Sequence, residues 1–258
     1  MKIGLTTYSF DNKDFREQLS SMLKNGIKPD YILLHYGGKF KYNKGFNFLR
    51  KTLKQQRFKS LPFLLSYKKN KPSAPAKFKL SESDSKEVDN YISLANIINA
   101  KGINAPYTIN KIRSLGVTMI ACNGGRLHSD VLNISTAVFL NVHASKLPMY
   151  RGMNNVEWAL WEHNEIYGTI HKISIGIDEG DILYQEKIDT SNIELKTISD
   201  YRQYCFFKSN EMMGMAIKDY FDKKLSFTKQ DAPRAPIAQY YIMHPILKEY
   251  LQKRLAQK

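Results

Sequence analysis

Two short apolar runs separated by one amphipathic segment govern what the first 36 residues can become. Residues 3–9 form one run, and Tyr31-Ile32-Leu33-Leu34 forms the other; both favour strands. Between them Phe15, Leu19, Met22 and Leu23 share one helical face, with Asp11 placed to cap the helix and Gly26 to end it. Strand, helix, strand in so short a span implies parallel strands joined by a crossover helix. The expectation is an α/β fold.

The rest of the chain extends that pattern. Residues 61–65 read as a third strand, and 68–77, with Pro72, Pro75 and lysine runs, as a loop. Residues 83–100 keep helical spacing through Val88, Tyr91, Ile92, Ala95 and Ile98, and a short helix is expected over 108–115. Segments 117–122, 138–142, 169–177 and 182–188 read as strands, and 153–163 as a helix. After Asp189 the pattern turns helical, over 199–221 and 245–255. No internal repeat or linker stands out, so residues 1–189 are expected to form a catalytic domain and 190–258 a C-terminal extension.

Composition narrows the class. The 258 residues carry 39 Lys or Arg against 24 Asp or Glu, a net charge of +15. That balance favours anionic partners such as nucleotides, nucleic acid or lipid, and also fits a generally lysine-rich proteome. Between Lys39 and Leu80 there are thirteen Lys or Arg and no Asp or Glu, which suits a phosphate-binding mouth or a solvated loop. No run approaches the ~20 apolar residues of a membrane span, and Met1-Lys2-Ile3-Gly4 does not read as a signal peptide. Two cysteines, Cys122 and Cys205, argue for a reducing compartment, and a cytoplasmic location is expected. No His/Cys cluster has metal-ligand spacing, so no metal is expected.

The chemistry is expected in Asn141-Val142-His143-Ala144-Ser145-Lys146-Leu147-Pro148-Met149-Tyr150-Arg151-Gly152, directly after a buried strand. Open α/β sheets build their sites at the carboxyl ends of strands, and residues two apart share a strand face. The Asn141 amide and the His143 imidazole can therefore converge. Downstream, Gly176-Ile177-Asp178-Glu179-Gly180-Asp181-Ile182 offers a carboxylate in a flexible loop. An amide donor, an imidazole and a carboxylate suit acyl transfer. On residue types alone a strand-capping histidine and a turn aspartate are the better-fitting reading.

The pattern Asn-x-His-x-Ser-x-Leu-Pro-x-Tyr-Arg-Gly resembles the signature of 10-formyltetrahydrofolate-dependent formyltransferases. A second segment falls in register: Gly168-Thr169-Ile170-His171, then Asp178, then Gly180-Asp181-Ile182. The likeness runs from about residue 103 to 188, and more loosely back to Met1. It implies a Rossmann-like, mostly parallel sheet flanked by helices, with a C-terminal mostly helical extension. It implies Asn141, His143 and Asp178 as the catalytic set, and 10-formyltetrahydrofolate as co-substrate without a metal. It further implies folate contacts from Cys122, Asn123, Gly124, Gly125, Arg126 and Leu127 on one side and Ser174, Ile175, Gly176 and Ile177 on the other. Arg151, Gly152 and His171 are expected near the acceptor. The chain departs from many relatives at Ile173-Ser174-Ile175-Gly176, where they carry Met-Asp-Glu-Gly, and at Asn154-Asn155, where they carry a small residue and proline.

Among acceptors, methionyl-tRNA enzymes of this kind carry an added β-barrel domain, and glycinamide ribonucleotide enzymes open with a phosphate loop unlike Thr6-Thr7-Tyr8-Ser9. The expected acceptor is the amine of a nucleotide-linked amino-deoxysugar, with products that serve surface polysaccharides such as lipopolysaccharide O-antigen. No nucleic-acid partner and no membrane span are expected, and monomer and homodimer are both open. The different-class alternative is a non-catalytic protein that binds folate or a nucleotide sugar.

Overall fold

The computed structural model describes residues 1–35, 77–100, 102–123, 126–134, 136–231 and 239–257. The strand expected at 61–65, most of the loop expected at 68–77, most of the basic stretch 39–80, and Gly124 and Gly125 lie outside the described residues.

The opening folds as its periodicity dictates. Strand β1 (Lys2–Thr7) leads to helix α1 (Lys13–Lys24) and strand β2 (Tyr31–His35). Phe15, Leu19 and Met22 are buried on one side of α1. The helix is capped by Asn12, whose side chain accepts from the Phe15 N–H, and not by Asp11 as its position suggested. Gly26 follows at φ +74, the left-handed conformation that ends a helix.

The stretch 83–100 is not one helix. Helix α2 (Glu82–Leu94) ends at Ala95, whose ψ of 150° is extended, and strand β3 (Ile97–Ala100) follows. Apolar residues at helical spacing run through both, but β3 pairs in parallel with β2 and buries Ile98 and Ala100. Sheet pairing outweighs the local period there. Helix α3 (Pro106–Leu115), strand β4 (Val117–Ala121), the short helix α4 (Ser129–Leu132) and strand β5 (Val138–His143) come next. Helix α5 (Asn155–Trp161), strands β6 (Tyr167–Lys172) and β7 (Ile182–Lys187), and helices α6 (Ile198–Phe221) and α7 (Pro245–Leu255) complete the order. The strand expected over 169–177 stops at Lys172, because the chain turns away to deliver Asp178.

The sheet has the order β3-β2-β1-β4-β5-β6-β7. The first five strands are parallel; β6 and β7 are antiparallel. Strand order reverses between β1 and β4, so the crevice above their carboxyl ends is where such sheets receive ligands. Side chains alternate across the sheet. Leu5, Met119, Leu140 and Ile170 pack beneath α1 and α6, while Leu33, Ile120 and Phe139 pack with Ile112 of α3 and Val131 of α4.

Helix α6 belongs to this core. Its Cys205, Met212, Met213, Ala216 and Ile217 lie in the same cluster as Leu5 and Leu140. Gly214 lets α6 approach α1, since a Cβ there would collide with the Ser21 carbonyl. Across this seam Gln18 donates to Asn210 at 3.0 Å, and Asn210 donates to the Glu17 carboxylate at 2.8 Å.

Candidate active site

Strand β5 supplies the first two side chains. In its antiparallel pairing with β6, Asn141 stands opposite His171 and His143 opposite Thr169. The Asn141 Nδ2 lies 3.1 Å from His171 Nε2. A carbonyl oxygen only accepts, so the contact of 3.0 Å from His171 Nδ1 to the Lys172 oxygen places the ring proton on Nδ1. His171 Nε2 then accepts from the Asn141 amide. Burial, with His143 alongside, pushes the His171 pKa down to about 4, with Asp178 opposing the shift, so at neutral pH this ring is uncharged.

His143 is fixed by the loop that follows it. Its Nε2 donates to the Tyr150 carbonyl at 2.7 Å, and Ser145 Oγ donates to the same oxygen at 3.2 Å. Thr169 Oγ1 donates to the Ser145 carbonyl at 2.6 Å, and Gln185 Nε2 to the Leu147 carbonyl at 3.1 Å. The Tyr150 ring is fully buried, and its hydroxyl donates to Glu162. The Ser-x-Leu-Pro-x-Tyr segment thus folds back to hold one imidazole.

The turn between β6 and β7 brings the carboxylate. Asp178 has φ 54°, a left-handed conformation, and its Oδ2 accepts from the Gly152 N–H at 2.8 Å. Asp178 stands 3.6 Å from His143 Nδ1 and 3.8 Å from His171 Nε2. Ligand atoms of His143, His171 and Asp178 all lie within 4.8 Å of one another. Spacing along the chain gave no sign of this group, because its members come from two strands and a loop.

Gln230, which carried no sequence signal, and Asn155 complete the frame. Gln230 Nε2 donates to the carbonyls of Asp178 (2.9 Å) and Gly180 (2.6 Å). Its Oε1 accepts from Arg151 Nε and Nη2, at 3.2 and 2.8 Å. Arg151, expected to face the acceptor, is buried with this face turned to Gln230 and another nitrogen 3.9 Å from Glu179. Asn155, one of the departures from the usual pattern, puts its buried amide nitrogen beside the His143 ring, 3.1 Å from Nε2 and 3.4 Å from Nδ1. Gly152, at φ +101, lies against Tyr240, and Tyr240 exchanges backbone hydrogen bonds with Arg151 and Met153.

The residues expected to contact folate differ in exposure. Cys122, Asn123 and Leu127 are buried beyond β4, and Arg126 is exposed. The Asn123 N–H donates to Thr6 Oγ1 at 2.9 Å, while its side-chain Nδ2 is buried without a partner among the described residues. Ser174 Oγ donates to the Gly176 carbonyl at 3.3 Å, and Ile175 and Ile177 are exposed apolar surfaces.

The described geometry can be set beside known proteins. Residues 53–215 match the family model described as Formyl transferase, more than half of the chain. The chain belongs to the formyl transferase family. Curated relatives include a methionyl-tRNA formyltransferase from Prochlorococcus marinus strain MIT 9215, 36% identical over 101 residues, covering 38% of this chain and 30% of that protein. Another, from Campylobacter fetus, is 28% identical over 139 residues, covering 53% and 40%. The matched stretches thus span well under half of these relatives. Among solved structures, a sugar N-formyltransferase from a Shewanella species has TM-score 0.51 at 13% identity, covering 94% of this chain and 77% of the other. The glycinamide ribonucleotide transformylase 1 of Symbiobacterium toebii has TM-score 0.53 at 14% identity, covering 90% and 94%. At such identities the structures speak for a shared fold. Among the described residues of this formyl transferase family member, no helix is long and apolar enough to cross a membrane.

Proposed function

We propose that the chain transfers a formyl group from 10-formyltetrahydrofolate to the amine of a nucleotide-linked amino-deoxysugar. The observation that supports this reading is that Asp178 stands 3.6 Å from His143 and 3.8 Å from His171, whose ring accepts from Asn141, at the carboxyl end of β5 in a member of the formyl transferase family. The neutral amine attacks the formyl carbon; the new C–N bond forms, and the bond to N10 breaks. The Asn141 NH₂ donates to the oxyanion of the tetrahedral intermediate. His143 Nε2 is committed to Tyr150, so the proton that charges the ring sits on Nδ1, between the ring and Asp178. The imidazolium stabilises the oxyanion by its charge, and Asp178 takes up the proton that the attacking nitrogen sheds. That proton then passes from Asp178 to the leaving N10, so none is gained or lost overall.

The Nδ2 of Asn123, without a partner among the described residues, suits a polar edge of the donor, and the exposed Ile175 and Ile177 suit its flat ring system. Gln230, Arg151 and Asn155 act as positioning residues for Asp178 and His143. The net charge of +15 supports an acceptor bearing phosphates. Methionyl-tRNA is the second reading, favoured by the names of the curated relatives.

The test is tetrahydrofolate release with 10-formyltetrahydrofolate and a panel of dTDP-, UDP- and GDP-linked amino-sugars, run beside charged initiator tRNA. Saturation by one amino-sugar in the usual range of about 1 μM to 1 mM, with shallow salt dependence, is expected. Efficient use of the tRNA with a steep salt dependence, and no turnover of any sugar, would give the second reading.

A further inference from the structure

The hydrogen bonds around the two active-site histidines impose a lone-pair arrangement with a consequence beyond formyl transfer. His143 spends its Nε2 proton on the Tyr150 carbonyl, and His171 spends its Nδ1 proton on the Lys172 carbonyl. The remaining nitrogens, His143 Nδ1 and His171 Nε2, are then lone-pair donors. Both face the same carboxylate, at 3.6 and 3.8 Å. Amide N–H groups now face them, Asn141 at 3.1 Å from His171 Nε2 and Asn155 at 3.4 Å from His143 Nδ1, and the three donor atoms lie within 4.8 Å of one another, close enough for one cation to take the place of those amides.

A backbone carbonyl on the far ring nitrogen is the outer-shell pattern that orients metal-binding histidines. Two imidazoles and one carboxylate also form a donor set that suits zinc, with bonds of roughly 2.0–2.2 Å and one position left open. We propose that His143, His171 and Asp178 form a reversible binding site for a divalent transition-metal ion such as Zn²⁺, which shuts off the enzyme by occupying its proton-transfer pair. Binding requires the side chains to draw together slightly and costs the Asn141 amide its bond to His171. The fourth position is open to water. The ion is an inhibitor and takes no part in the reaction.

Direct binding tests this apart from catalysis. Metal-stripped full-length protein is titrated with Zn²⁺ by calorimetry and with Co²⁺ by visible absorption, with circular dichroism to confirm folding of each variant. One ion per chain at micromolar affinity and a tetrahedral or five-coordinate Co²⁺ spectrum are expected. His171→Gln and Asp178→Asn should each weaken binding at least tenfold. Asn141→Ala, expected to abolish turnover, should bind the ion as tightly as the parent or more so. Two outcomes overturn the proposal: no binding at 100-fold higher ion concentration than about 1 μM, or binding that both ligand variants leave unchanged. Neither outcome touches the formyl-transfer reading, whose test uses no metal.

Discussion

Gln230 shows how one side chain without a sequence signature can govern a site. Its amide holds two carbonyls of the Asp178 turn on one side and the Arg151 guanidinium on the other. Gln230→Ala frees a strained turn in which Asp178 has φ 54° and leaves a buried arginine short of an acceptor. Turnover should fall by tenfold or more, with a stability loss of about 1–3 kcal/mol for the unpaired groups, measured by steady-state kinetics and urea unfolding. Unchanged kinetics would mean that the turn is held by the Gly152 N–H alone. Glu17 offers a prediction about pH. Burial beneath α6 is the main cause that lifts its carboxyl from 4.5 to about 7, outweighing the Asn210 hydrogen bond. The folded state therefore holds this proton more tightly than the unfolded state. The stabilisation is full below pH 4.5 and is lost as pH rises through about 7. A shift of that size is worth about 3 kcal/mol. Glu17→Gln should match the parent near pH 4 and exceed it at pH 8 by up to that amount; equal stability at both pH values would refute the burial.

Among the elements, the seam between α1 and α6 is the most sensitive to size. Gly214→Ala would gain up to about 1 kcal/mol of helix propensity. The new methyl meets the Ser21 backbone carbonyl, which no rotamer change can relieve, and overpacking of this kind costs about 1–3 kcal/mol. Net destabilisation is expected by thermal unfolding, and a rise in Tm would contradict the close approach. The same elements show what was legible beforehand. Helix α1, the parallel strands and the Asn141/His143 pair were readable, because apolar period and strand-face alternation are local properties. The ending of α2 and the start of β3 were not, since Ile97–Ala100 becomes a strand only through pairing with β2. The cap at Asn12 was missed for a smaller reason: Asp11 and Asn12 are both good capping residues, and backbone geometry one residue along decides between them. Gln230 and Tyr240 were invisible because they reach the site across the molecule, from the segment expected to be an appendage.

As a whole, the molecule ties its centre to distant parts of the chain. Strand β5 carries Asn141 and His143, the β6–β7 turn carries Asp178, and the C-terminal segment braces both through Gln230 and Tyr240. Buried Glu157 adds a second brace, receiving Arg202 of α6 at 2.9 Å and Lys248 of α7 at 3.3 Å. Removing the last helix should therefore lower stability and turnover together. The central claim is that this arrangement performs formyl transfer through His143. The most direct measurement is single-turnover transfer from 10-formyltetrahydrofolate to the best acceptor, parent against His143→Ala, with circular dichroism confirming the fold of both. The account predicts a rate loss of roughly 100- to 1000-fold, the scale of removing one group that stabilises the oxyanion. A rate within a few-fold of the parent would contradict it.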